Sequence, residues 1–165
     1  MRTYNASKIA LWNQCELKFC AYHLLKYKNE NSQPSLRMEL GTLVHKYFED
    51  FYNPLQTQQF KTQVITLQAW KDDFAKTWNN LTENFNLENN QNGENKAYLE
   101  QGILALENFY HREKERDFKI PIFLEKWFTV DLGQFRLNGK IDRIDRELDG
   151  SITILDYKIA SRIKS

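Results

Sequence analysis

Residues 139–158 constrain the fold more than any other stretch. Two runs in which polar and apolar side chains alternate meet at Leu148-Asp149-Gly150, the pattern of a β-hairpin. Side chains on a strand alternate faces, so Asp156 and Lys158 share one face of the second run while Leu155 and Tyr157 occupy the other. Whether Asp142 joins them depends on register. A two-residue Asp149-Gly150 turn sets Arg143 across from Asp156 and turns Asp142 away, because a one-residue slip inverts every side chain. A three-residue loop with Gly150 left-handed sets Asp142 across from Asp156 instead, and two carboxylates and an ammonium then converge.

The rest of the chain reads as supporting helices. Ser7 is a candidate cap for one or two helices over residues 7–27, with Ile9, Leu11, Trp12, Leu17, Phe19, Leu24 and Leu25 at roughly helical spacing. Asn29 to Pro34 is a polar loop. Leu36 to Tyr52 is a helix expected to stop at Pro54, and Gln58 to Phe85 a second one with Phe60, Val64, Leu67, Trp70, Phe74, Trp78 and Leu81 along one stripe. Asn84 to Asn95 holds six asparagines and Gly93, which favours a loop. Tyr98 to about Lys114 returns to helical spacing, and after Pro121 come strands over Ile122–Val130, Phe135–Arg146 and Ser151–Ile159.

With 165 residues, 41% of them hydrophobic, the chain has the length of one domain with a core, residues 1–165. A formal charge of only +1 gives no diffuse pull on polyanions, so nucleic-acid contact would have to come from local clusters. Cys15 and Cys20 are too few for a disulfide framework, and no signal segment or run of ~20 apolar residues is present. The expected setting is therefore the cytoplasm, away from membranes. No Walker-type phosphate loop occurs, so a helicase motor would have to lie elsewhere.

Paired carboxylates with open water positions are what a hard divalent cation such as magnesium or manganese requires for phosphodiester hydrolysis. Asp142 and Asp156 fit that need. An isolated Asp-x-Lys is usually only a solvent-facing strand pair, but here it follows Gly139-Lys-Ile-Asp-Arg-Ile-Asp145 at hairpin distance. His45 lies one helical turn after Gly41, so the two share a face, with the glycine allowing close approach of the sheet or of a ligand.

An acid, a hairpin and then acid-x-Lys resemble the PD-(D/E)XK nuclease superfamily. Gly139-Lys-Ile-Asp-Arg-Ile-Asp145, Ile154-Leu-Asp-Tyr-Lys158 and Gly41-Thr-Leu-Val-His45, with Ser7–Leu25 upstream, are similar to its RecB-type exonuclease branch, which includes helicase-associated exonucleases and CRISPR-adaptation nucleases. The resemblance implies an α/β, restriction-endonuclease-like core in which N-terminal helices pack on an antiparallel three-stranded meander. It implies Asp142, Asp156 and Lys158 as the catalytic set. It also implies Mg2+ or Mn2+ on His45, Asp142, Asp156 and the carbonyl of Tyr157, with Lys158 orienting the attacking water and stabilising developing charge.

Other residues carry weaker assignments. Glu125 is a candidate outer acid, and Glu49 serves either the site or helix solubility. Arg143 and Asp145 suit an internal ion pair beneath the strand. Lys140, Arg162 and Lys164 are candidate phosphate contacts, though short basic runs are commonly a solvated edge. Cys15 matches the first of four iron-sulfur ligands in some RecB-type nucleases, but the other three have no counterpart here. No iron-sulfur cluster is therefore expected, and both cysteines read as buried helix thiols.

The sequence ends seven residues after Lys158. The helix with a Gln-x-x-x-Tyr-like motif and the final strand implied by the resemblance are thus expected to be missing, leaving the domain incomplete at its C-terminus. The expected function is a metal-dependent DNA exonuclease of repair or recombination, with DNA as substrate and a helicase or other repair protein as partner. The competing expectation is a catalytically idle DNA-binding or protein-interaction remnant.

Overall fold

A computed structural model describes residues 2–27, 35–56, 66–83 and 92–159. In chain order its elements are β1 (Arg2–Tyr4), α1 (Ala6–Gln14), α2 (Glu16–Phe19), a π-helical turn (Cys20–Leu24), α3 (Leu36–Gln56), α4 (Leu67–Glu83), α5 (Asn92–Glu115), β2 (Phe123–Asp131), β3 (Phe135–Arg146) and β4 (Ile152–Leu155). This is the mixed α/β architecture expected, with one addition. The sheet has four strands, because Arg2–Tyr4 pairs parallel with Phe135–Leu137. Three residues are too short a run to show strand periodicity in a sequence.

β3 is the central strand. β2 runs antiparallel along one side of it, while β1 and β4 share the other side end to end. The hairpin takes the three-residue loop: Arg146 pairs with Ile152, the Glu147 N–H donates to the Ser151 carbonyl, and Gly150 adopts φ +85°. Carried one step past the Arg143–Leu155 pair, that register sets Asp142 level with Asp156.

The helices pack into one core. α3 contributes Leu40, Leu43, Val44, Tyr47, Phe48 and Tyr52, a helical stripe that meets Trp70, Phe74 and Trp78 of α4 and Leu106 and Phe109 of α5. Tyr157 joins them from the sheet side. Its ring lies edge-on to Phe48 at 4.9 Å, and Phe48 stacks on Phe109 at 4.1 Å. Burying each such ring contributes roughly 1.5–3 kcal/mol, so the chain just past β4 is anchored by an inward-facing side chain.

α5 approaches α3 and α4 closely at Gly102, where an added Cβ would lie 2.5 Å from Phe74 Cζ and 2.9 Å from Leu40 Cδ1. Alanine is the better helix former by ~1 kcal/mol, but the fully buried Phe74 ring has little room to yield. Gly102→Ala is therefore expected to destabilise the protein by about 1–3 kcal/mol in urea unfolding. Unchanged or raised stability would refute this account of the contact.

Several boundaries differ from the sequence expectation. Asn5, not Ser7, caps α1, its side chain accepting from the Lys8 N–H at 2.9 Å. α3 continues past Pro54 to Gln56, since a proline near a helix end removes one hydrogen bond without breaking the turns before it. α5 begins at Asn92, inside the segment expected as loop, and Asn95 accepts the buried Trp78 indole N–H at 2.6 Å. Cys15 is exposed and Cys20 half-buried; the Cys15 sulfur caps α2 by accepting from the Lys18 N–H and so does not enter the core. The expected Asn29–Pro34 loop, Phe60, Val64 and residues 84–91 lie outside the described residues. Among the described residues no helix is long and apolar enough to cross a membrane.

Candidate active site

β4 stops at Leu155, short of the expected Ile159, and the reason lies in the site. The Tyr157 N–H donates to the Asp142 carboxylate at 2.6 Å, and the Tyr157 carbonyl faces His45 Nε2 at 3.1 Å. Both backbone groups of Tyr157 are thus taken by side chains. Alternation nevertheless persists, with Asp156 and Lys158 exposed on either side of the buried Tyr157.

A carbonyl can only accept, so His45 Nε2 carries the proton of that hydrogen bond. In the neutral ring Nδ1 then presents a lone pair, and it faces Glu125 at 3.6 Å and Asp142 at 3.7 Å. Three lone-pair donors from α3, β2 and β3 lie within 4.8 Å of one another. Such a group attracts positive charge: Lys140 already supplies a cation to the other oxygen of Glu125, and a second proton on the ring or a metal ion would supply one between the three. One imidazole and two carboxylates are donors that hard or borderline divalent cations accept, so the residues present fit the divalent cation that the sequence resemblance implies.

Glu125 is the residue the sequence undervalued. It lies between the Leu124–Arg143 and Lys126–Ile141 pairs of the ladder, across from Asp142, and its backbone is left-handed at φ 48°. A non-glycine residue held there stores on the order of 1–3 kcal/mol of strain, and such strain gathers at functional sites. Nothing in the local sequence announces a reversed φ inside a strand.

The remaining expected residues surround this group. Asp156 pairs with Lys158 at 2.7 Å and lies outside the three-residue cluster, but both line the same cleft of about 250 Å³ as His45, Asp142 and Tyr157. The bond to Asp156, with the charge of Asp142 added, holds the Lys158 ammonium above the usual lysine range. Lys140 pairs with Glu125 and lies over the Trp127 ring, so its charge is already engaged by an acid. Glu49 is half-buried on α3 and apart from the cluster. Arg162 and Lys164 lie outside the described residues.

Beneath the site, Arg143 and Asp145 form the internal pair at 2.7 Å, both fully buried. The sequence did not supply their other partners. Glu113 of α5 receives Arg143 at 2.8 Å and also the Tyr52 hydroxyl, and Arg116 holds the second oxygen of Asp145 at 2.6 Å. Burial pulls the Arg143 pKa down, yet the Asp145 hydrogen bond with the nearby Tyr52 and Glu113 holds it above its ordinary value. The guanidinium stays charged and ties α5 to the strand that carries Asp142.

A family model described as the PD-(D/E)XK nuclease superfamily matches residues 3–165. The chain is also similar to two proteins named as subunits of an ATP-dependent helicase/deoxyribonuclease, from Clostridium perfringens strain SM101 / Type A and strain ATCC 13124 / Type A. Each is 24% identical over 185 aligned residues, which cover 96% of this chain and 15% of the relative. The chain thus corresponds to a small part of the relatives' length. With the superfamily match running over residues 3–165 and the hairpin bringing its acids and lysine to one cleft, the chain belongs to the PD-(D/E)XK nuclease superfamily.

Proposed function

We propose that the chain hydrolyses phosphodiester bonds in DNA with a divalent cation, Mg2+ or Mn2+, acting as an exonuclease in repair or recombination beside a helicase partner. The observation that most supports metal dependence is the convergence of His45, Glu125 and Asp142, with the His45 Nδ1 facing two carboxylates. His45, Glu125 and Asp142 would hold the cation, with Asp156 close by on the cleft wall. Once bound, such an ion lowers the pKa of a coordinated water and draws charge from the scissile phosphate.

The chain's own residues do the rest. Tyr157 fixes two donors at once, its N–H locking the Asp142 carboxylate and its carbonyl setting the His45 tautomer. Asp156 steers Lys158, whose ammonium is placed to orient a water and to stabilise the negative charge that grows on the phosphate oxygens. The proposed helicase partner draws on the relatives named above, and the exonuclease character on the resemblance of the sequence motifs to the RecB-type branch.

The test is cleavage of end-labelled single-stranded and duplex DNA in magnesium, in manganese and in a chelator, with manganese affinity measured calorimetrically alongside. Metal-dependent release of short products from one end is expected. DNA binding without cleavage in either metal would overturn the proposal in favour of an idle DNA-binding remnant, and absence of manganese binding would remove its basis.

A further inference from the structure

The acids of the cleft repel a phosphodiester, and the two lysines beside them are already committed, Lys140 to Glu125 and Lys158 to Asp156. Arg37 is placed differently. It sits on α3 at positions i, i+4 and i+8 with Gly41 and His45, one face of the helix, and it lines the same cleft as Asp142, Asp156 and Lys158. Arg37 is exposed, and among the described residues no carboxylate pairs with it.

Two neighbours share that open character. Gln101 of α5 lines the cleft and makes no side-chain hydrogen bond among the described residues. Gly41 lies on the α3 wall, and an added Cβ there would meet nothing within 4 Å. The glycine is therefore not there for close packing on the sheet; it keeps space in the cleft.

We infer that Arg37 is the substrate-positioning cation of this cleft, holding a backbone phosphate of the DNA strand across Gly41 from Lys158, with Gln101 donating from the α5 side. The inference rests on the proposed DNA-cleaving function and adds to it the residues that hold the strand. A guanidinium suits this task because its planar fork can donate two hydrogen bonds to one phosphate. Neither Arg37 nor Gln101 supplies a donor to the His45–Glu125–Asp142 group, so their loss acts on substrate and leaves the cation site intact.

The experiment is binding of a fluorescent oligothymidylate across a salt series, with calcium replacing magnesium to suppress turnover, for the wild-type chain, Arg37→Ala, Arg37→Lys and Gln101→Ala. Arg37→Ala is expected to weaken binding about tenfold to a hundredfold and to reduce the slope of log K against log salt by about 0.7. Arg37→Lys should restore the slope and only part of the affinity, while Gln101→Ala should weaken binding with the slope unchanged. Manganese affinity and melting temperature should match the wild type in all three variants.

Equal affinity and slope in Arg37→Ala would overturn this inference and leave the proposed cleavage standing. Loss of manganese affinity in that variant would overturn it too, by showing that Arg37 acts through the cation site. A wild-type chain that binds no oligonucleotide would overturn the cleavage proposal and this inference together.

Discussion

Asp142→Asn is expected to reduce kcat for DNA cleavage by a factor on the order of 10²–10³ and manganese affinity at least tenfold, with little change in melting temperature. Asparagine preserves the shape and can still accept the Tyr157 N–H through its amide oxygen. It removes the charge, however, and its amide nitrogen donates where the proposed cation would sit beside His45 and Glu125. Asp156→Asn and Lys158→Ala should also lower kcat sharply, because they disable the exposed pair proposed to steer water and stabilise charge. These two should leave manganese affinity closer to the wild type, since neither belongs to the three-donor cluster. Kinetics and calorimetry on the three variants check this: a wild-type kcat in Asp142→Asn would remove the residue from the mechanism.

The largest loss of stability should come from Arg143. Its Nε donates to Asp145 at 2.7 Å, its Nη1 to Glu113 at 2.8 Å and its Nη2 to the Lys119 carbonyl at 3.0 Å, all in a region where Arg143, Glu113 and Asp145 are fully buried. Removing one partner strands the others. Arg143→Met is expected to cost about 3–5 kcal/mol, seen as a lower urea midpoint with an unchanged m-value. The double variant Glu113→Gln/Arg143→Met should recover part of that loss, because the penalty lies in the orphaned carboxylates more than in the missing attraction. A loss below about 1 kcal/mol in Arg143→Met would show that water or rearranged neighbours satisfy the pocket, as at ordinary surface pairs.

What could be read in advance was local. Two registers were open at Leu148-Asp149-Gly150, because a period-two structure admits only two answers, and the three-residue loop of the fold sets the level of Asp142 against Asp156. The helix at Leu36 to Tyr52 and the stripe of α4 were legible for a similar reason: helical pattern is a property of neighbouring residues. Features that depend on distant partners were not. Glu113 is one acid among many on a long helix until α5 docks against Arg143. Glu125 gains its place from a backbone inversion that no residue type signals, and β4 ends early because side chains from two other elements take the hydrogen bonds of Tyr157. Arg37 reads as an ordinary exposed arginine until the cleft shows which nearby cations are already paired.

The parallel pairing of Arg2–Tyr4 with Phe135–Leu137 bears on how the chain is made. Arg2–Tyr4 leave the ribosome long before their partner strand exists, and no local contact can stand in for it. Until β3 is synthesised, Ile9, Trp12 and Leu24, which line a cleft with Phe135 and Leu137 and stay exposed even in the folded molecule, lack the strand beside which they settle. Closing so distant a pair is entropically slow, so this segment belongs among the last parts to order and is a natural site for chaperone capture or misassociation during synthesis.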